Sequence, residues 1–238
     1  VKNVILNDTI YKVNIIQDNK KMKELPDLIK LINSIKGEVC YSYINKIVAV
    51  DKSYKEMENI KGQKIIDILR HGGYIQFQFS QDAMLIDLGS EGSFVLTENV
   101  NYKNSIIKLE TDIGNLFIVD DGENKNDFTK IIPIWKDFTT MPQVGYDPLT
   151  KQFNYNLFCQ LLSENQTTVE KLITNPLIIS GIGENYGAMI LKKSSINKKT
   201  KTSEINKAKA RVIFDAIKQV LREASGNTEE EESDGLDD

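Results

Sequence analysis

Apolar residues recur along this chain with two different periods, and the change of period divides it. Over residues 24–36, ELPDLIKLINSIK, the side chains of Leu25, Leu28, Ile29, Ile32 and Ile35 fall on one helical stripe, and Pro26 sits in the first turn, where its missing N–H breaks no bond. This predicts an amphipathic helix that ends at Gly37. From Val39 to about Ile134 the spacing shortens to alternation, in runs such as CYSYINKIVAV, GYIQFQF, AMLIDL, SFVLTE, SIIKLET and NLFIVDD. Turn residues punctuate the runs at Gly72-Gly73, Gln81-Asp82, Glu91-Gly92 and Asp121-Gly122, so the segment reads as an antiparallel meander folded into a sandwich or barrel.

Helical spacing returns after WKDFTTMPQVGYDPLT, with Gly145 and Pro148 as boundary punctuation. Phe153, Leu157, Phe158, Leu161 and Leu162 mark one helix, the segment from Val169 to Thr174 a second, and Asn185 to Lys193 a third. Ile205, Ala208, Val212, Ile213, Ala216, Ile217, Val220 and Leu221 mark a long last one. The expected fold class is α+β: a β-rich half with one amphipathic helix, followed by a helical half. From Gly226 onward the chain lacks apolar residues except Leu236, and a disordered acidic tail is expected over 226–238.

Charge sharpens this picture. The net charge is −4, yet the last ten residues, EEEESDGLDD, hold seven acids, which leaves 30 basic and 27 acidic side chains in the remainder. Between Tyr186 and Arg211 stand Lys192, Lys193, Lys198, Lys199, Lys201, Lys207, Lys209 and Arg211 against Glu204 alone. One-signed clustering of this kind is the footprint expected for a polyanion, while a solvated lysine-rich face is the plainer reading.

Composition excludes several chemistries. No apolar run approaches the roughly 20 residues of a membrane span, and the N-terminal VKNVILNDTIYKV alternates like a strand, so an intracellular protein without membrane attachment is expected. Cys40 and Cys159 are far apart with no ligand spacing, and His71 is the sole histidine, so no metal or other cofactor is expected. A Ser-His-Asp or Cys-His nucleophile would have to run through that same His71, which has no motif around it.

The stretch NPLIISGIGENYGAMILKKSSINKK carries the one motif with chemical content. A Gly181-Ile182-Gly183 turn precedes a helix, an arrangement that lets backbone N–H groups and the helix dipole face a phosphate. The next residue, however, is Glu184. At 4 Å in a surface-like dielectric of about 20, two like charges repel by about 4 kcal/mol, more than one phosphate hydrogen bond returns. The expectation is therefore a helix start capped by its own Glu184, with Asn185 next in line for phosphate if the turn is offset by one residue.

Four segments together resemble the Fpg/Nei DNA glycosylases. VGYDPLTKQFNYNLFCQLL looks like the opening of that family's helical domain, and NPLIISGIGENYGAMILKKSSINKKTK like its helix-two-turn-helix element. KELPDLIKLINSIKGE is similar to its first helix, and ILRHGGYIQFQFSQDAMLIDLGSEGSF to paired strands of its sandwich. The resemblance implies a two-domain DNA clamp over residues 23–224, with an extension at 1–22, a β-sandwich domain at 23–140, a helical domain at 141–225 and the tail beyond. Enzymes of this family flip a damaged base and attack its sugar with an N-terminal proline amine, forming a Schiff base.

Carried across position by position, most of that machinery changes. Lys23 stands at the nucleophilic proline and is preceded by 22 residues, Glu24 keeps the adjacent catalytic acid, and the second acid becomes Asp27. Gly73 replaces the backbone-contacting lysine, Ser90 the methionine that fills the void of the flipped base, and Glu184 the phosphate-donating asparagine; the zinc-finger arginine has no counterpart. Three functions compete. The first is a catalytically silent binding or scaffold protein that contacts nucleic-acid backbone weakly through Gly181, Gly183, Asn185, Lys192, Lys193, Lys198 and Lys199. The second is an active glycosylase and lyase using Lys23 or Val1 as the amine, with Glu24 beside it. The third is a protein-interaction module in which the extension adds a strand to the sandwich and the acidic tail docks on a basic surface.

Overall fold

In the computed structural model, which describes residues 2–6, 9–13, 23–49, 57–89, 91–120, 130–134 and 141–226, helix α1 spans Leu25–Val39. Leu25, Leu28, Ile32, Ile35 and Val39 are its buried stripe. The expected stop at Gly37 is corrected: the helix runs through it and closes at Cys40, whose N–H donates to Lys36 O. An interior glycine weakens a helix by about 1 kcal/mol, whereas burying a valine returns about 1.5–3 kcal/mol, so the fully buried Val39 carries the helix on.

Residues of the extension form β1 (Lys2–Leu6) and β2 (Thr9–Val13), which pair with each other, Lys2 opposite Val13, as a sheet of their own. Among the described residues, the extension therefore adds no strand to the sandwich. Two segments so close in sequence close a hairpin before longer-range pairing can compete.

The sandwich has two four-stranded antiparallel sheets. One contains β4 (Ile65–His71), β5 (Tyr74–Phe79), β6 (Ala83–Asp87) and β10 (Lys130–Ile134) in the order β10-β6-β5-β4. The other contains β3 (Ile44–Ala49), β7 (Gly92–Thr97), β8 (Ser105–Thr111) and β9 (Gly114–Asp120) in the order β3-β8-β9-β7. Consecutive strands pair in β4-β5-β6 and in β8-β9, as a meander requires, whereas the β3-β8, β7-β9 and β6-β10 pairings are longer-range and correct the expected simple meander. All five residues of β6 are buried, and it pairs with β5 on one edge and with the distant β10 on the other. The predicted Gly72-Gly73 turn joins β4 to β5, with His71 opposite Tyr74. The Asp121-Gly122 turn and Ser90 lie outside the described residues.

Helices α2 (Tyr155–Glu164), α3 (Val169–Ile173), α4 (Glu184–Lys193) and α5 (Lys207–Ser225) make the second half. Asn154 caps α2 by accepting from Leu157 N–H, while Phe153, just outside the helix, packs on Phe158 with ring centroids 6.0 Å apart, a hydrophobic staple. Thr168 and Asn206 cap α3 and α5 in the same way. α5 stops at Gly226, in the left-handed region at φ 77°, and the tail beyond it lies outside the described residues.

Helix α1 belongs to both cores. Leu28, Ile32, Ile35 and Val39 pack among the sandwich residues, whereas Leu25 packs with Phe158, Leu172, Ile190 and Ile213 of the helical half. Its first turn is therefore the joint between the halves.

Candidate functional site

The joint is built on the Gly-Ile-Gly turn. Gly181 adopts φ 78°, its carbonyl accepts from Leu25 N–H at 2.8 Å, and a Cβ there would lie 2.7 Å from Leu25 Cβ. Ile182, 3% exposed, anchors the turn in the helical core. A Cβ at Gly183 would lie 2.7 Å from the carboxyl carbon of Glu24. Both glycines thus make room for the start of α1, and Gly181 also supplies a backbone conformation that side chains disfavour.

Glu24 fills the space so made. It is the N-cap residue of α1, but its carboxylate does not cap that helix. Instead it accepts from the N–H groups of Gly183 at 3.1 Å, Asn185 at 2.9 Å and Tyr186 at 2.9 Å, and the residue is 6% exposed. The expectation that Glu184 caps its own helix is therefore corrected. Glu184 is the first residue inside α4 and is exposed, whereas a capping oxygen must come from the position before it, which is Gly183 and has no side chain. A carboxylate from another helix takes the role, and the helix dipole favours its charge. The backbone N–H groups of Gly183 and Asn185, expected to face phosphate, are bound from inside the protein.

Around this carboxylate the neighbours are ordered. Burial, followed by the charges of Asp27 and Glu24, pushes the pKa of the Tyr186 hydroxyl up. Lys23 is half-buried, and its backbone N–H donates to Gly89 O at 3.2 Å, so the nitrogen at this position is a peptide nitrogen. Gly89 N–H in turn donates to the buried Asp87.

The pattern of apolar positions gave no role to Arg70. Its guanidinium, 8% exposed, donates to Gly72 O at 2.9 Å and forms an ion pair with Asp147, tying the β4–β5 turn to the segment that leads into α2. His71 reaches Pro142 O at 2.9 Å. Arg70, His71, Tyr146, Asp147 and Ser180 line a groove of about 580 Å³ between the halves. A charged residue next to the Gly-Gly turn, inside an otherwise alternating strand, was the available signal.

The predicted lysines lie elsewhere. Lys192 and Lys193 form the last turn of α4, and Lys198 and Lys199 follow it, all exposed. Lys193 contacts Glu223 at 3.4 Å, while Lys192, Lys198 and Lys199 have no carboxylate partner among the described residues. Ten helical residues span about 15 Å, so the structure joins Lys23, Glu24, Gly181, Gly183 and Asn185 at one end of α4 and sets the lysines at the other. Among the described residues no three His, Cys, Asp or Glu gather as a metal site, and no helix is long and apolar enough to cross a membrane.

Fold and joint define a β-sandwich and a helix-two-turn-helix domain clasped by a shared helix. Residues 22–123 match the formamidopyrimidine-DNA glycosylase N-terminal domain and residues 144–232 the formamidopyrimidine-DNA glycosylase H2TH domain, and the chain belongs to the Fpg/Nei family. It is 25% identical over 214 residues to the formamidopyrimidine-DNA glycosylase of Mycoplasma genitalium, covering 85% of this chain and 75% of that protein. With the Aliivibrio fischeri enzyme of the same name it shares 26% over 172 residues, 71% of this chain and 63% of the other. The fold is that of the Lactococcus lactis enzyme non-covalently bound to DNA containing an AP site, with a TM-score of 0.76, 19% identity and coverage of 85% and 82%. The Thermus thermophilus protein gives 0.75, 20%, 85% and 76%.

Proposed function

We propose that this protein binds nucleic acid through its backbone phosphates and has no glycosylase or lyase chemistry. The observation that carries this reading is the peptide N–H of Lys23, which donates to Gly89 O. At the place where the family resemblance puts an amine nucleophile, the main chain offers an amide, whose lone pair is delocalised and does not form a Schiff base. Gly73 and Glu184 add to it, because neither offers phosphate the donor expected at that position. Binding itself is supported by the relative bound to AP-site DNA and by Lys192, Lys198 and Lys199, which lack a carboxylate partner among the described residues. Contacts of this kind act through counterion release and carry no sequence information.

The competing reading keeps an enzyme and assigns the attack to the Lys23 ε-amine or the Val1 amine with Glu24 as acid. The Glu24 carboxylate already accepts three N–H bonds, which fill most of its lone-pair directions and hold it in the joint. Borohydride trapping on abasic and oxidised duplexes decides between the two. The expected result is no covalent adduct alongside salt-dependent binding; an adduct overturns the proposal, and its loss in Lys23→Ala would assign the amine.

A further inference from the structure

Tyr41 stands just past the end of α1 with φ 72°, a left-handed conformation that helix ends ordinarily give to glycine or asparagine. The ring gains no burial in return: it is 67% exposed, the most exposed aromatic side chain among the described residues. Where local preference is violated and packing does not repay it, the side chain has a use outside the fold.

Its surroundings indicate which use. Tyr43 is 49% exposed, and the Lys64 ammonium lies 5.2 Å from the Tyr41 ring centroid and 5.6 Å from that of Tyr43. The backbone beneath is fixed: Tyr41 N–H donates to Ile65 O at 2.7 Å, Tyr43 bridges Lys64, and Tyr43 N–H donates to the Asp112 carboxylate at 3.0 Å. Lys61 is exposed close by, where Gly62 N–H bonds Ile44 O, and has no carboxylate partner among the described residues. The surface is thus two flat rings and two cations, with Asp112 engaged on the main chain. It lies at the opposite end of α1 from Glu24, about 22 Å away along a helix of 15 residues.

We propose that Tyr41, Tyr43 and Lys64 form a second nucleic-acid contact, which takes unpaired bases of a single strand. Both rings already face an ammonium, so they repel cationic partners and suit anionic ones. An anionic partner with free flat faces is an unpaired nucleotide: its base stacks on a tyrosine and its phosphate meets Lys64 or Lys61. A duplex hides those faces in its own stack. This inference rests on the reading that the protein handles nucleic acid, and its test keeps the two apart.

Binding of fluorescein-labelled oligothymidylate and of a duplex is measured side by side for the wild type and for Tyr41→Gly/Tyr43→Ala. Glycine relieves the left-handed backbone at position 41, so the variant folds, and circular dichroism checks it. Single-strand affinity is expected to fall about tenfold or more while duplex affinity stays within about twofold. Equal losses for both ligands, or unchanged single-strand affinity, overturn the inference. A wild type that binds duplex but no single strand also overturns it while the proposed function stands; binding to neither removes both.

Discussion

At its start α4 offers the N–H groups of Gly183, Asn185 and Tyr186 to a buried carboxylate, and ten residues later it ends in lysines that face solvent. One end of the helix is enclosed in the fold; the other is open to a ligand. Both ends answer the same dipole, with an anion at the positive pole and cations at the negative one. The difference is that Glu24 belongs to α1 and contributes to the joint, whereas Lys192, Lys198 and Lys199 complete nothing inside the described part of the protein. Stability should therefore reside at the first end and salt-dependent binding at the second.

The largest effect is expected from Glu24→Ala. Three inward-facing N–H groups lose a charged acceptor together, and hydrogen bonds to charged groups contribute about 1.5–3 kcal/mol each without adding fully. A loss of about 3–5 kcal/mol in urea denaturation follows, a large share of the total for any domain. Glu24→Gln should keep part of it. A loss below about 1 kcal/mol for the alanine variant would show that the carboxylate does not hold the joint.

Next come the glycines facing it. Gly183→Ala sets a methyl group against the Glu24 side chain, and Gly181→Ala adds an unfavourable left-handed conformation to a close approach on Leu25. Each should destabilise by about 1–3 kcal/mol. Combining Gly183→Ala with Glu24→Ala sharpens the comparison, because the second change removes the atoms that the new methyl meets. Additive losses would place the clash elsewhere.

Much of this architecture was legible in the sequence, for reasons tied to particular residues. The stripe from Leu25 to Ile35, the Gly72-Gly73 turn and the Phe153 to Leu162 helix are local patterns, and periodicity reports them directly. The cap was not legible. Glu24 lies about 160 residues from the N–H groups it accepts, and nothing in the local sequence marks that contact. Glu184, adjacent to the turn, looked like the cap because proximity in sequence was the only guide. The order β10-β6-β5-β4 escaped for the same reason, since β10 lies far along the chain from the β6 edge it pairs with. Motif and charge singled out Lys23 and the lysine cluster, but their separation by a whole helix is set by the fold.

The open end of α4 predicts the reverse of Glu24. Replacing Lys192, Lys198 and Lys199 together with alanine removes exposed charges and should leave stability within about 0.5 kcal/mol per site. Duplex affinity at low salt should fall, and the slope of log affinity against log salt should shallow by about 2–3, near 0.9 for each phosphate that is no longer neutralised. An unchanged slope would move the binding surface away from this end of the helix.

The smallest effect concerns Tyr186, which belongs to the enclosed end twice over: its N–H donates to Glu24, and its hydroxyl feels the charges of Asp27 and Glu24. Burial, then the negative charges of Asp27 and Glu24, raise its pKa above the ordinary 10.0. The folded protein thus keeps this proton at a pH where unfolded chains have released it. The contribution to stability is complete below the unfolded value and is lost as pH rises from there through the higher folded value. Tyr74 and Cys40 are also raised, chiefly by burial, so the readout is the difference between variant and wild type. Tyr186→Phe should decline less steeply with alkaline pH in urea denaturation. Identical slopes would mean that the hydroxyl is not buried beside the Asp27 and Glu24 charges, and the enclosed end would then rest on Glu24 and the glycine turn alone.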